Sequence, residues 1–373
     1  MIDLVFFDNT KAFDTVCHDI LLEKLDNIGI CAQLKAWIQQ FLMARRMQVR
    51  VSGIVSEWHD VNSGVPQGSV LGPILFLIYV NHVVHNIRSK YKIFADDLKL
   101  YLGGTPSDGL LGIDDLQEDI NTLTATSQSW GLIMNTDKCA CLRLGPRTLT
   151  NCSTGASPYS INGESIKYLS VQSDLGIITD RKLKFHEHIR STANKCNGIT
   201  TNIMSSTLCR SADFLITAYK TLIQPKLEYG SATWNLGYRG DLKRLERVQR
   251  RWTRQVDGLR ELPYNERLQQ LNLFSVQGRL LRADMILTWK ILSGKCALQA
   301  ANIFQLDNST RRGHSKKLYL PRTRLEVRRR FFSVRVVQDW NSLSEEAVSS
   351  QTLNQFKSFL HRDLGQRLFE YAE

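Results

Sequence analysis

The strongest constraint on this chain is where its acidic residues fall relative to two apolar runs. Ile2-Asp3-Leu4-Val5-Phe6-Phe7 leads directly into Asp8. Tyr91-Lys92-Ile93-Phe94 leads into Ala95-Asp96-Asp97, after which Leu98-Lys99-Leu100-Tyr101-Leu102 resumes the pattern. Short runs rich in β-branched and aromatic residues read as strands, so the second acidic pair should cap a hairpin. With that hairpin beside the first strand, three carboxylates converge at one edge of a sheet. Carboxylates held so close resist ionising together. A divalent cation removes the conflict, and Mg²⁺ is typically held by one or two carboxylates plus substrate phosphates. A pair of such ions can activate an attacking oxygen and stabilise a leaving one. An isolated Asp-Asp is ordinarily a polar hairpin tip. Here it gains chemical weight from its order after Asp8 and after the glycine loop Ser63-Gly64-Val65-Pro66-Gln67-Gly68-Ser69-Val70-Leu71-Gly72-Pro73.

At 373 residues the chain can form two or three units with a substantial core, and 43% hydrophobic with 23% charged residues fits a globular protein. No stretch of about 20 continuous apolar residues occurs. The longest candidate, Val70 to Val84, contains Gly72, Pro73, Asn81 and His82 and reads as a buried helix. The start lacks a basic segment, an apolar run and a small-residue cleavage site, so no signal peptide is expected. Eight cysteines are scattered without a pairing pattern. Cys139-Ala140-Cys141 with Cys152 lacks a fourth ligand at zinc-like spacing. Reduced thiols in a nuclear or cytosolic protein are therefore expected, neither secreted nor membrane-spanning. The net charge of +12 is uneven: residues 1–150 hold 13 Lys/Arg against 16 Asp/Glu, and the remainder holds 35 against 20. An acidic part followed by a basic one suits a polyanionic substrate gripped by one region and processed by another.

Strand and helix signals alternate through the first half. Asp19 to Leu25 and Ala32 to Leu42 have apolar residues at helical spacing, and Met47 to Val61 alternates around Gly53 as a hairpin. A helix is expected over Val70 to Ile87, the acidic hairpin over about 91–102, and a helix from Asp114 with Leu116, Ile120, Leu123 and Trp130 on its apolar side. Strand-like runs follow at Cys139 to Leu144, Tyr159 to Ile161, Tyr168 to Leu169 and Leu175 to Ile178. Mixed this way, they predict an α+β fold, an antiparallel sheet with helices packed on one face. From about His186 the pattern is helical, clearest at Ile189 to Ser206, Ala212 to Ile223 and Asp241 to Val256. In the last, Leu242, Leu245, Val248, Trp252 and Val256 form an apolar stripe, while Lys243, Arg244, Arg247, Arg250, Arg251 and Arg254 load the rest of the circumference. Such a run is either a solvated face or a surface that tracks phosphates. A break falls near Leu306 to Ser315. Beyond it, Arg322, Arg324, Arg328, Arg329, Arg330 and Arg335 surround Phe331-Phe332, which reads as a stacking platform for single strands or, preferably, as core.

At these residues the chain resembles the reverse transcriptase of non-LTR (LINE-type) retrotransposons, particularly the jockey and chicken-repeat-like group. Phe7-Asp8 through Ala12-Phe13-Asp14 is similar to the first palm motif of that family. Ser63 to Pro73 is similar to its Gly-Val-Pro-Gln-Gly loop, Phe94 to Asp97 to its Phe-Ala-Asp-Asp box, and Asn135 to Cys139 to the following palm motif. Tyr168 to Leu183 resembles its primer-grip region, with Ser170 to Asp174 irregular. Pro225 to Gly230, Trp234, Leu245 to Arg251 and Tyr264 to Leu268 resemble its thumb, while Arg312-Gly313-His314 and Phe331 to Asn341 fit its C-terminal portion. The resemblance implies a polymerase palm over 1–184, a helical thumb-like domain over 185–265 and a basic, mostly helical region over 266–373.

It also implies roles. Asp8, Asp96 and Asp97 would be the catalytic metal ligands for two Mg²⁺ ions, or Mn²⁺, serving nucleotidyl transfer from a dNTP to a primer 3′-hydroxyl on an RNA template. Phe13 would exclude a ribose 2′-hydroxyl. Gln67 and Gly68 would lie against incoming nucleotide and template, and Lys138 would help neutralise pyrophosphate. Arg247, Arg250, Arg251 and Arg254 would contact nucleic acid. The family carries basic segments ahead of its first palm motif and an upstream nuclease. Only seven residues precede Asp8 here, so this chain is expected to lack the fingers and to be a weak or inactive polymerase. Asn9-Thr10 and Ser344 also depart from the family pattern. A non-catalytic nucleic-acid-binding scaffold and a decaying gene product stand as competing readings.

Overall fold

The computed structural model describes residues 2–103, 113–145, 156–307 and 313–371. Cys152 and Arg312 lie outside them. The chain divides into two compact units, Met1–Gln172 and Ser173–Glu373. Among the described residues, no helix is long and apolar enough to cross a membrane.

The first unit opens with strand β1 (Ile2–Phe7), helices α1 (His18–Asn27) and α2 (Ala32–Leu42), and two nested strand pairs, β2 (Arg45–Met47) with β5 (His59–Val61) and β3 (Arg50–Val51) with β4 (Ile54–Val55). Helix α3 (Gly72–Val80), strands β6 (Lys90–Phe94) and β7 (Asp97–Gly103), helix α4 (Ile113–Ser129) and strands β8 (Ala140–Leu144), β9 (Ala156–Ile161) and β10 (Glu164–Leu169) follow. Six of the strands form one sheet in the order β6-β7-β1-β8-β10-β9. Its pairs are antiparallel except β8 with β10, which run parallel, so the α+β expectation holds with one parallel ladder added. Helix α3 is shorter than the expected Val70–Ile87. Beyond Val80 the amides of Val83, His85 and Ile87 bond three residues back, to Val80, His82 and Val84, a tighter winding suited to short turns.

Strand β1 alternates its burial. Asp3, Val5 and Phe7 are buried, while Leu4 and Phe6 are partly exposed. Val5 and Phe7 join a core with Leu98, Leu100, Leu116, Ile120, Leu123 and Cys141. Asp3 enters the same buried face as a charge. Its cross-strand partner Arg143 grips it through Nε and Nη2, both at 2.6 Å. The Tyr159 hydroxyl donates to it at 2.8 Å. A buried carboxylate survives only when paired and hydrogen-bonded in this way.

The chain enters the second unit within strand β11 (Val171–Asp174), which pairs with β12 (Ile177–Asp180). Thereafter it is helical: α5 (His186–Ser206), α6 (Ala212–Ala218) continued by a π-helical turn (Tyr219–Ile223), α7 (Gln224–Glu228), α8 (Ser231–Trp234), α9 (Arg239–Thr253), α10 (Tyr264–Gln270) and α11 (Val276–Leu292). After a loop come α12 (Glu326–Arg330), α13 (Phe332–Asn341), α14 (Glu345–Val348) and α15 (Leu353–Leu364). Two apolar clusters fill this unit. One runs from Phe185 to Leu280 with Trp234, Leu245, Val248 and Trp252, the other from Met285 to Leu368 around Trp289, Trp340 and Phe356. Phe332 is core as preferred, whereas Phe331 is exposed with the Arg328 guanidinium 5.5 Å from its ring centre. The arginines around them are partly engaged inside the protein. Arg335 pairs with buried Asp284 at 2.9 Å, and Arg330 bonds Glu326 and the Leu236 and Gly237 carbonyls.

Candidate active site

Strands β1 and β7 pair antiparallel with Phe6 opposite Lys99 and Phe7 opposite Leu98. Extending that register by one residue sets Asp8 opposite Asp97. Side chains alternate along a strand, so Asp8 shares the face of Phe6 and Asp97 that of Lys99. These faces coincide, since the Lys99 ammonium lies 5.9 Å from the Phe6 ring centre. Both acids therefore leave the same end and the same face of the sheet, opposite the face that buries Phe7 and Leu98. Asp96 sits in the two-residue turn between paired Phe94 and Asp97. Its neighbour Ala95 has φ 53°, the left-handed region that a tight hairpin demands.

The next segment docks onto Asp8. The Asn135 amide donates to the Asp8 carbonyl at 2.8 Å, Thr10 donates to Ile133 at 2.8 Å, and Asn9 bridges to Met134. This sets the Lys138 Nζ 3.4 Å from Asp8 Oδ1. Cys139 is buried, and burial pushes its thiol pKa up. Among the described residues no three His, Cys, Asp or Glu side chains are gathered as a metal cage. The three acids share one end of the sheet, Asp8 and Asp97 on one face and Asp96 in the adjoining turn. Like charges repel in close company, and Asp8 has a lysine partner instead. An oxygen-only donor set on an exposed sheet end fits a hard divalent cation that draws its remaining ligands from substrate.

The glycine loop is stitched to the segment after Asp8. Gly64 donates to Val16 at 2.8 Å and Val65 to Phe13 at 2.9 Å. The Ser63 hydroxyl donates to the Asp14 carbonyl at 2.8 Å, and Gln67 Nε2 to Asp14 Oδ1 at 3.0 Å. Arg45 Nη2 donates to the Gly64 carbonyl at 2.6 Å, and His18 Nε2 lies 2.9 Å from that oxygen. Burial lowers the Arg45 pKa. Sequence reasoning missed Asp14, His18 and Arg45 as the residues that fix this loop; each is an ordinary polar letter until the long-range pairing is known. Phe13 stacks on Phe76 with ring centres 4.2 Å apart, so its ring is held from behind by α3. Gly68 has φ +84° and nothing within 4 Å of where a Cβ would stand, leaving open space over its backbone.

Residues 3–173 match the family described as reverse transcriptase (RNA-dependent DNA polymerase). This part of the chain is similar to that family. Similar curated proteins include the RNA-directed DNA polymerase from mobile element jockey of Drosophila funebris, 29% identical over 264 residues, covering 68% of this chain and 28% of that protein. A probable RNA-directed DNA polymerase from transposon BS of Drosophila melanogaster is 28% identical over 297 residues, covering 74% and 31%. The chain thus spans about three-tenths of the length of these relatives. Telomerase from Candida albicans, solved in complex with a fragment of telomeric RNA, overlaps 76% of this chain and 44% of its own at 14% identity and a TM-score of 0.40. The matched stretch ends one residue past the first compact unit. It contains Asp8, Phe13, Gln67, Gly68, Asp96, Asp97 and Lys138. Reverse transcriptases as a family use divalent metals.

The basic helix α9 belongs to the second unit. Arg247, Arg251 and Arg254 are exposed, but Arg250 is half-buried with its guanidinium 4.9 Å from the Tyr264 ring centre. Arg251 Nη2 also reaches Thr201 Oγ1 at 3.3 Å.

Proposed function

We propose that this chain is an RNA-directed DNA polymerase module of a non-LTR retrotransposon, transferring a deoxynucleotide from dNTP to a primer 3′-hydroxyl. The observation that carries the reading is the register that brings Asp8 and Asp97 to one end and face of the sheet, inside a matched reverse transcriptase domain. Asp8, Asp97 and Asp96 would hold two Mg²⁺ ions. Bound there, Mg²⁺ would neutralise phosphate charge and lower the pKa of the attacking hydroxyl. The chain's own residues position the reactants. Phe13, backed by Phe76, walls the sugar pocket against a 2′-hydroxyl. Gln67, tethered to Asp14, and the open backbone of Gly68 lie against nucleotide and template. Lys138 leaves Asp8 for the developing pyrophosphate charge, which is a small loss because an exposed ion pair contributes only about 0–1 kcal/mol. Arg247, Arg251 and Arg254 grip the nucleic-acid backbone, with Arg250 contributing from beside Tyr264. We assign residues 1–184 to the palm, 185–265 to the thumb-like domain and 266–373 to the basic C-terminal region.

Primer extension on an RNA template with Mg²⁺ tests this. Incorporation should fall by about a thousandfold or more in Asp8→Asn and Asp96→Asn, since positioning and charge stabilisation each supply several kcal/mol. RNA affinity should change less than about twofold. Salt-dependent RNA binding without any incorporation by the wild type selects the non-catalytic scaffold instead.

A further inference from the structure

The second unit has an open cavity of about 490 Å³ walled by one face of α11 and by the π-helical turn, α7 and the loop before α11. Four cations line it: Lys220, Arg279, Arg282 and Lys290. Glu228 is the only acid among the lining residues, and it is already engaged, because Arg279 Nε donates to it. Arg279 is further fixed by bonds to the Phe274 carbonyl at 2.6 Å and the Tyr219 hydroxyl at 2.8 Å.

Arg282 differs from its neighbour. It is half-buried, and among the described residues its guanidinium has no hydrogen bond or ion pair. Burial draws its pKa down, with Glu228 opposing. Lys220 and Lys290 are likewise without side-chain partners among the described residues. The Arg282 donors stay accessible in the cavity, whereas those of Arg279 are already committed to Glu228, Phe274 and Tyr219. The formal excess of three positive charges on one small cavity is the environment that attracts a compact polyanion. Arginine's planar fork suits phosphate oxygens.

We propose that this cavity is a phosphate-binding site, in which Arg282 supplies the central donors and Lys220 and Lys290 close the rim. The shared chemistry is the phosphoryl oxyanion, from either a free polyphosphate or the backbone of a nucleic-acid strand. The site lies within the second unit and needs no metal.

The test is titration of the full chain with sodium pyrophosphate in EDTA, followed calorimetrically. Working in EDTA separates this site from any metal-dependent binding at the acidic end. Arg282→Gln should weaken pyrophosphate binding about tenfold or more, the usual scale for a lost charged hydrogen bond, and Lys290→Gln less. Lys295→Gln, an equal charge change outside the cavity, should bind as the wild type does. A 12-nucleotide single-stranded RNA that displaces pyrophosphate identifies strand phosphates as the natural source; no displacement, with pyrophosphate still bound, identifies a free polyphosphate. Wild-type affinity retained in both Arg282→Gln and Lys290→Gln, or no saturable binding at millimolar pyrophosphate, overturns the proposal. If Arg282→Gln fails to fold by circular dichroism, the Lys220→Gln/Lys290→Gln double variant decides.

Discussion

Two glycines of the same loop answer to different forces. Gly64 has φ +79°, and a Cβ there would stand 2.7 Å from the Asp14 Cα and 2.8 Å from the carbonyl oxygens of Asp14 and Phe13. Those contacts are backbone, so they cannot swing away. Gly68 has φ +84° but meets nothing, so only its conformation asks for glycine. Gly64→Ala should therefore cost about 3 kcal/mol or more, combining left-handed strain with overpacking. Gly68→Ala should cost about 1 kcal/mol from strain alone. Urea denaturation of the two variants measures both, and equal losses would show that the loop does not rest on the segment after Asp8. The motif made both glycines legible in the sequence. Which one is pinned by packing was not, because the contact joins residues about fifty positions apart.

At the scale of elements, α9 shows what periodicity conveys and what it hides. Leu245, Val248 and Trp252 are buried as the stripe required, and Leu242 is half-buried. Glu246 and Gln249, lost in a run of charged letters, are buried too. Glu246 accepts from the Tyr264 hydroxyl and from the Val276 and Gln277 amides, and so caps α11 while holding α10. Likewise, alternation predicted the sheet strands, but the parallel pairing of β8 with β10 is set by tertiary contacts that no local pattern encodes. Burial raises the Glu246 pKa above its ordinary value near 4.5, with its hydrogen bonds opposing. The folded state thus holds more proton than the unfolded state between 4.5 and the raised value, so this group makes stability fall as pH rises through that window. Glu246→Gln keeps an acceptor for Tyr264 and removes the titration. The wild type should lose stability relative to this variant as pH climbs above about 4.5. A pH-independent difference in chemical denaturation would remove Glu246 from the account.

Across the whole molecule, the charge distribution sets how a polyanion is met. Residues 1–150 are slightly acidic and the remainder carries the basic excess, so long-range attraction should come chiefly from the later residues. Binding that releases counterions weakens with salt, by about 0.7 in the log–log slope per phosphate neutralised on a single strand. Arg247, Arg251 and Arg254 are exposed and can make such contacts, whereas Arg250 is half-buried against Tyr264. The Arg247→Gln/Arg251→Gln/Arg254→Gln triple variant should therefore bind single-stranded RNA more weakly and with a slope shallower by about 2, measured by fluorescence anisotropy from about 50 to 200 mM KCl. Arg250→Gln should act differently. It removes a cation from an aromatic face, which contributes about 0.5–1 kcal/mol or more when partly desolvated, and so should lower thermal stability while leaving most of the salt slope in place. The two outcomes separate a phosphate-tracking face from a merely solvated one. An unchanged slope in the triple variant would move the RNA-binding surface off α9.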